Sequence, residues 1–184
     1  MVGPSGAGKD TLLDAARQVL AGDVRFRFVR RTITRPAGVG GEAHQSVTEA
    51  EFAALHFALR WQAHGLRYGI PADIDADLAA GRVVVASVSR TVIAEAAERF
   101  PVRVVEITAP PDLRAKRLAE RRREAASDVA ARLARSIALP PGIPAETVFN
   151  DATIEQGAAR LVAALIRAAE AARPAGTADP ARPG

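Results

Sequence analysis

Residues 3–11 read Gly3-Pro4-Ser5-Gly6-Ala7-Gly8-Lys9-Asp10-Thr11, and the helical pattern Leu12–Leu20 follows directly. The segment matches G-x-x-x-x-G-K, the phosphate-binding loop or P-loop. Its glycines let the backbone wrap a polyphosphate with the N–H groups pointing inward. The following helix adds its N-terminal dipole, and Lys9 adds a positive charge beside the β- and γ-phosphates. This stretch therefore predicts a nucleoside triphosphate site at a strand-to-helix turn.

The residue after the P-loop lysine departs from the usual pattern. A Ser or Thr whose hydroxyl ligates Mg²⁺ is expected there, and this chain has Asp10. Thr11 cannot substitute directly, because a one-residue step rotates the side chain by about 100° around the helix. We therefore expect Asp10 either to ligate Mg²⁺ or to accept a hydrogen bond from a metal-bound water. The alternative is an exposed Asp that is favoured only by the helix dipole.

The composition excludes several classes of protein. The 184-residue chain has no cysteine, so disulfide scaffolds, cysteine nucleophiles and thiolate metal sites are ruled out. No stretch reaches the ~20 apolar residues that a membrane helix needs, and no signal-peptide pattern opens the chain. Aromatic residues make up 4% of the chain, which disfavours an aromatic stacking platform for nucleic acid. These features predict a cytoplasmic protein that binds neither a membrane nor nucleic acid.

The chain is basic, with a formal net charge of +4. All its basic residues except Lys9 and Lys116 are arginines, and arginine suits two-pronged contacts with phosphate. A high-GC coding sequence would also enrich arginine, whatever the function. The charge alone therefore permits phosphorylated small molecules or nucleic acid as partners and selects neither.

Three β-branched runs indicate buried strands, and each is followed by a helical pattern. The predicted strands are Arg82–Val88, Val102–Thr108 and Thr147–Phe149. The predicted helices that follow them are Thr91–Arg99, Asp112–Arg122 and Thr153–Ala172, and a further helix is expected over Ser127–Leu139. Alternation of apolar strands with helices is typical of a parallel sheet covered on both faces. The fold class is therefore α/β.

The strand that should feed the P-loop is the exception, since only Met1 and Val2 precede Gly3. A central parallel strand normally has about five residues, so either a short strand is completed in another way or the true start lies upstream, and we favour the second explanation. At the other end, the Pro/Gly/Ala-rich residues 174–184 are expected to form a disordered tail.

Further segments resemble the guanylate kinase branch of nucleoside monophosphate kinases. They are Thr32-Ile33-Thr34-Arg35-Pro36, His64-Gly65-Leu66-Arg67-Tyr68-Gly69 and the Arg-rich residues 117–135. The resemblance implies a three-layer αβα kinase domain over residues 1–173. Within it we expect a small acceptor-binding subdomain over about residues 30–80 and an Arg-rich lid over about residues 117–135. A solvated helical face and a nucleic-acid patch are the other interpretations of the Arg-rich segment.

The departures from guanylate kinases concern the positions that read guanine. This chain has Gln62 where a carboxylate is expected, Ile70 where a hydroxyl is expected, and Ser87 and Ser89 in place of an Asp-x-Asp. A site built for hydrogen bonds rejects a ligand when its partners are missing, so guanine is not the expected acceptor. The loop after Arg35 is also about three residues shorter in this comparison.

The same departures match the ribose 1,5-bisphosphate phosphokinases of phosphonate catabolism. The shared features are the Asp after the P-loop lysine, residues 33–36, the run Gly40-Gly41-Glu42-Ala43-His44, residues 61–69, Ser89-Arg90 and Asn150-Asp151. The resemblance implies transfer of phosphate from ATP to the 1-phosphate of ribose 1,5-bisphosphate, giving 5-phosphoribosyl 1-diphosphate. It implies ATP and Mg²⁺ as cofactors and a phosphorylated sugar as substrate, and it leaves the oligomeric state open.

The resemblance also implies roles for individual residues. The expected cofactor-binding residues are Gly3, Pro4, Ser5, Gly6, Ala7, Gly8, Lys9, Asp10, Thr11 and Asn150, with Asp10 as the metal ligand. The expected substrate-binding residues are Arg30, Arg31, Arg35, Glu42, His44, Tyr68 and Ser89. The expected catalytic residues are Lys9, Arg121, Arg123, Arg132 and Arg135.

Some of these residues have simpler interpretations. Asn150-Asp151 could equally start the last helix as its N-cap, His44 could be an ordinary loop histidine, and Trp61 is better explained as core. Two other functions also stay open: a nucleoside monophosphate kinase with an unusual acceptor pocket, and an inactive guanylate kinase-like binding module. The intact Gly8-Lys9 pair argues against the second.

Overall fold

The computed structural model describes residues 1–36, 43–120 and 138–172. The helices are α1 (Lys9–Val19), α2 (Glu49–Ala54), α3 (Ile74–Ala79), α4 (Ile93–Arg99), α5 (Pro111–Glu120) and α6 (Ile154–Ala172). The strands are β1 (Phe26–Phe28), β2 (Thr32–Ile33), β3 (Gln45–Ser46), β4 (Phe57–Ala63), β5 (Leu66–Pro71), β6 (Val83–Val85), β7 (Val104–Thr108) and β8 (Ala145–Phe149). The predicted helix Ser127–Leu139 falls almost entirely outside the described residues.

The predicted parallel arrangement is confirmed by two strand pairs, β1 with β6 and β7 with β8. Met1 and Val2 lie between these pairs and connect them. On one side, the Met1 amino group donates to the Ala86 carbonyl at 2.6 Å, and the Val88 N–H donates to the Met1 carbonyl at 3.0 Å. On the other side, Val2 forms a parallel bridge with Glu106 in β7. The order across this layer is therefore β1, β6, Met1–Val2, β7, β8.

A cavity of about 500 Å³ lies beside Met1 in this layer. Its walls include β6 and residues 102–105, and side chains of α6 such as Leu165 also line it. We call this cavity the inter-strand channel. The channel therefore lies between β6 and the start of β7, next to the point where Met1 and Val2 connect the two strand pairs.

Alternate residues of the parallel strands pack into different clusters. Val85 of β6 and Val105 of β7 belong to a cluster formed with α1 and α6, which we call the P-loop core. Val84 packs with the neighbouring sheet and α4, and Val104 packs with Ile93 of α4. Because successive strand residues point to opposite faces, helices cover both faces of the sheet. The result is the three-layer αβα arrangement that the sequence predicts.

A second sheet, with strand order β3-β2-β5-β4, follows the first strand of the parallel layer. The antiparallel hairpin of β4 and β5 dominates it, and the sequence analysis did not identify these strands. His64 and Gly65 form the hairpin turn with φ values of 54° and 70°, which is the backbone of a two-residue turn that matches strand twist. Ile33, Leu59, Trp61 and Ile70 are buried in a cluster that we call the acceptor-sheet core, after the role expected of residues 30–80.

None of the helices in residues 1–36, 43–120 and 138–172 is long and apolar enough to span a membrane.

Candidate active site

The P-loop lies between Val2 and α1, as the motif predicts. Gly3, Gly6 and Gly8 all have positive φ values, of 153°, 78° and 81°. Gly8 is the N-cap of α1 in the left-handed conformation, so the loop turns into the helix at the residue before Lys9. The first backbone N–H groups of α1 therefore lie at the loop, where an anion is favoured by the helix dipole.

Lys9 is the first residue of α1, and its side chain folds back over the loop. Its Nζ donates to the Gly3 carbonyl at 2.9 Å and to the Pro4 carbonyl at 3.5 Å. Ser5 is half-buried in the loop, and Thr11 is exposed on α1. The ammonium group of Lys9 is thus positioned above the same loop that the motif assigns to phosphate.

Asp10 lies in the first turn of α1 and faces Arg31. The distance between its Oδ1 and the Arg31 Nη2 is 3.8 Å. Burial lowers the pKa of Arg31, and the negative charge of Asp10 opposes that shift. Since an arginine side chain stays protonated in proteins, this pair places a half-buried cation directly beside the start of the P-loop helix.

Tyr68 brings two of the predicted substrate arginines together. The guanidinium of Arg31 lies over the Tyr68 ring, 5.6 Å from its centre, and Arg35 Nη2 donates to the Tyr68 hydroxyl oxygen at 3.2 Å. The Tyr68 ring stacks on Trp61 with centres 5.4 Å apart. Both aromatic residues belong to the acceptor-sheet core, so the two guanidinium groups rest on a fixed support. Arg30, in contrast, is exposed.

A small cavity beside this group contains a residue that the sequence analysis did not select. Asp10, Arg31, Ala43 and Ser87 all line it. Ser87 is 3% exposed, and its hydroxyl has no hydrogen-bond partner among the described residues. The signal in the sequence was its place after an apolar strand, where guanylate kinases carry a carboxylate.

Ser89, in contrast, already has a structural partner. Its hydroxyl accepts hydrogen bonds from the backbone N–H of Thr91 at 3.3 Å and from the Thr91 hydroxyl at 2.8 Å, which caps the 3₁₀ turn before α4. His44 is half-buried, next to Ala43 at the small cavity.

Several predicted residues cannot be placed. Glu42, Arg121, Arg123, Arg132 and Arg135 lie outside the described residues. Of the proposed lid, the structure describes residues 117–120, in which the Arg117 Nη1 donates to the Asn150 carbonyl at 3.2 Å. Asn150 itself is 5% exposed. The N-cap of α6 is Thr153, which exchanges hydrogen bonds with Gln156, and not Asn150 or Asp151.

The site can be tested against Mg²⁺ through its donor groups. Within the described residues, no group of three or more His, Asp or Glu side chains could hold a metal ion. However, Mg²⁺ at phosphate sites is usually held by one or two carboxylates together with substrate oxygens and water. The Asp10 carboxylate beside the P-loop fits that pattern, and Asp14 and the buried Ser87 hydroxyl, which line the same cavity, are further oxygen donors.

The fold is shared with solved kinases. The chain has a TM-score of 0.64 with a guanylate kinase from Anaplasma phagocytophilum, at 17% identity over 91% of this chain and 84% of the other. It has a TM-score of 0.52 with a sugar kinase from Janibacter sp., at 18% identity over 94% and 96% of the two chains. The P-loop at the N-terminus of α1 and this fold define a P-loop kinase of guanylate kinase-like architecture.

Sequence relatives identify the family within this class. The chain is 50% identical to ribose 1,5-bisphosphate phosphokinase PhnN of Brucella melitensis, over 86% of this chain and 84% of that protein. It is 50% identical to the protein of the same name from Acidiphilium cryptum, over 91% of each. The chain belongs to the ribose 1,5-bisphosphate phosphokinase family, which confirms the resemblance seen in the sequence. No protein-family model matches it.

Some relatives are much longer. The chain is 52% identical to a bifunctional ribose 1,5-bisphosphokinase-thymidine phosphorylase of Cupriavidus necator, and covers 30% of that protein's length. The similarity therefore concerns about a third of such bifunctional proteins.

Proposed function

We propose that the chain transfers the γ-phosphoryl group of ATP to the 1-phosphate of ribose 1,5-bisphosphate, giving 5-phosphoribosyl 1-diphosphate in phosphonate catabolism. The observation that carries this proposal is the pair of arginines, Arg31 and Arg35, held on Tyr68 beside the P-loop helix. The acceptor is a bisphosphate, so its binding site needs cations. It carries no base, so the site needs no carboxylate that reads guanine.

The chemistry asks little of the protein beyond positioning and charge. The acceptor phosphate is already an anion at neutral pH, so no general base is required. When bound, Mg-ATP supplies the phosphoryl group and the positive charge of the metal. The P-loop and Lys9 hold the donor phosphates, and Arg31 and Arg35 hold the acceptor phosphate. This division matches the general account of phosphoryl transfer as positioning plus electrostatic stabilisation.

An acceptor comparison tests the proposal. The protein is incubated with Mg-ATP and, in parallel, with ribose 1,5-bisphosphate, GMP, dGMP or UMP, and the diphosphate product is detected by coupling to a phosphoribosyltransferase, with ADP release measured for every acceptor. We expect turnover of the sugar bisphosphate at least 100-fold faster than that of any nucleotide, since a site without the guanine-reading groups loses that selectivity. Comparable turnover of GMP would instead identify a nucleoside monophosphate kinase. Absence of ADP release with every acceptor would favour a binding module.

Two arginine variants test whether Arg35 binds the acceptor. Arg35→Gln removes a charge that contacts Tyr68, whereas Arg25→Gln removes an exposed charge that pairs with Asp23. We expect Arg35→Gln to raise the KM for the acceptor by 10-fold or more, the loss of one charge-assisted contact. We expect Arg25→Gln to leave it within twofold. Equal acceptor KM values in both variants would remove Arg35 from the site.

We also propose Asp10 as the protein ligand of Mg²⁺. Asp10→Ser should change the Mg²⁺ concentration needed for half-maximal activity. The matched control is Asp23→Ser, beyond the end of α1 and outside the small cavity, where the carboxylate pairs with Arg25 at 2.6 Å. If Asp10 served only to hold Arg31, Asp10→Ser would raise the acceptor KM and leave the Mg²⁺ dependence as it was. That result would refute the metal role.

A further inference from the structure

Asn150 lies at the end of β8 with its backbone fixed on two sides. Its N–H donates to the Thr108 carbonyl at the end of β7 at 2.7 Å, and its own carbonyl accepts from the Arg117 Nη1 at 3.2 Å. The residue is 5% exposed. Its side chain therefore projects from the edge at which the parallel strands end, and it packs against the P-loop.

The side chain makes one specific contact across the fold. Its Nδ2 donates to the Ala7 carbonyl at 2.8 Å, a buried hydrogen bond between residues 143 positions apart. Ala7 is fully buried. An unpaired buried carbonyl is costly, so this bond selects the orientation of the peptide group between Ala7 and Gly8.

That orientation has a consequence for phosphate binding. No peptide bond in the described residues is cis, and in a trans peptide the C=O and N–H groups point in opposite directions. The Ala7 carbonyl points towards Asn150. The N–H of Gly8 belongs to the same peptide group and therefore points away from Asn150. The P-loop motif requires its N–H groups to turn towards the phosphates.

The packing around the Asn150 amide is close at both of its ends. A Cβ added to Gly8 would lie 2.3 Å from the Asn150 Nδ2, and a Cβ added to Gly157 in α6 would lie 3.1 Å from its Oδ1. Gly8 therefore makes space for the Asn150 amide, and Gly157 makes space for this amide together with the Leu12 side chain. Contacts of this kind on both ends of the amide indicate a residue that fixes a geometry.

We propose that Asn150 is a positioning residue of the P-loop, acting through the Ala7 carbonyl on the donor phosphates. It does not act by contacting the adenine base. The inference rests on the proposed function only in that the loop binds the phosphates of ATP. It predicts that Asn150 matters for any polyphosphate, with or without a nucleoside.

The test compares two ligands by isothermal titration calorimetry in the absence of acceptor, with Mg²⁺ present. The ligands are ATP and inorganic tripolyphosphate, which has the phosphates and no base. Asn150→Ala removes the side chain, and Asn150→Leu keeps similar bulk but removes the donor. We expect both variants to bind both ligands at least 10-fold more weakly than the parent chain, by the same factor for each ligand within twofold.

A control separates this effect from a general loss of stability. Leu165→Ala truncates a buried side chain of α6 in the P-loop core without touching the amide. It should lower the melting temperature and leave both affinities within twofold. In steady-state assays, the Asn150 variants should raise the KM for ATP and leave the KM for the acceptor within twofold.

Two results would overturn the inference. Weaker binding of ATP with unchanged binding of tripolyphosphate would show that Asn150 reads the base. Unchanged binding of both ligands by Asn150→Leu would show that the hydrogen bond does not position the loop. Neither measurement uses the acceptor, so an incorrect acceptor would refute the proposed function and leave this comparison intact.

Discussion

Adding four apolar residues, Val-Ile-Val-Val, before Met1 is expected to stabilise the fold, because the added segment would enter the inter-strand channel. In the 184-residue chain the buried amino group of Met1 lies at this channel and donates to the Ala86 carbonyl. Burial, followed by the charges of Lys9 and Arg31, lowers the pKa of this amino group from 8.0 to about 5. The extension replaces the amine by an uncharged peptide N–H that can keep the same hydrogen bond.

The pKa shift sets the size of the effect. Because the folded chain binds this proton more weakly than the unfolded chain, stability decreases as the pH falls from 8 towards 5. One pKa unit corresponds to a little over 1 kcal/mol, so the penalty is about 1 kcal/mol at pH 7 and about 4 kcal/mol at pH 5. Burial of the four side chains, at roughly 2 kcal/mol each, is offset by about 1.5 kcal/mol per residue for ordering. The total gain is therefore about 3 kcal/mol at pH 7 and about 6 kcal/mol at pH 5.

Urea unfolding at pH 5, 6, 7 and 8 measures this gain by linear extrapolation. The single tryptophan, Trp61, reports on the acceptor-sheet core, and far-UV circular dichroism reports on the whole fold. The first control places the same four residues after Gly184, where we expect no gain. The second control places Gly-Ser-Gly-Ser before Met1, where we expect only the pH-dependent part of the gain.

The shape of the pH dependence decides the outcome. The difference in free energy of unfolding between the extended and the original chain should grow by about 2–3 kcal/mol from pH 7 to pH 5. A constant difference would show that the Met1 amino group is not held in its neutral form. An equal gain from the C-terminal control would show that the added residues do not enter the channel.

Two further predictions concern Gly69 and Tyr68, which lie in β5 of the second sheet. Gly69→Ala should lower the free energy of unfolding by about 1–3 kcal/mol, since its Cβ would lie 2.3 Å from the Phe57 ring. The control is Gly22→Ala, whose Cβ would meet no atom within 4 Å. Equal urea midpoints for the two variants would contradict the close packing at Gly69. Tyr68→Phe removes the hydroxyl that accepts a hydrogen bond from Arg35. It should raise the KM for the acceptor about 5-fold and leave the KM for ATP unchanged. A change only in the KM for ATP would contradict a role for Tyr68 in acceptor binding.

The parts of the fold that the sequence predicts are those with a local signal. The P-loop, β7 and α6 follow from a motif, an apolar run and a helical period, and each lies within a few residues of its predicted bounds. The β4–β5 hairpin carries a weaker signal, because its alternation is broken and its turn contains His64 where Asn or Asp is more common. The alternation of burial along residues 59–63 is visible only once the pairing with β5 is known.

In the candidate site, too, the sequence predicts individual residues better than the contacts between them. Lys9 and Asp10 are predicted because their neighbours in the chain define them. The approach of Arg31 to Asp10, and of Asn150 to Ala7, depends on how distant elements pack. The family resemblance selected all four of these residues. It could not predict that the Arg31 guanidinium faces Asp10 or that the Asn150 amide donates to the Ala7 carbonyl.

The division of the apolar interior into the P-loop core and the acceptor-sheet core has a consequence for evolvability. Side chains such as Leu12 and Leu161 support the P-loop, whereas Ile33 and Ile70 support the sheet on which the proposed acceptor arginines rest. Substitutions that reshape the second cluster can accumulate while the first keeps its packing. If β2, β4 and β5 bind the acceptor as proposed, a mutant library confined to these strands should yield enzymes that use the same donor and accept a different phosphate ester.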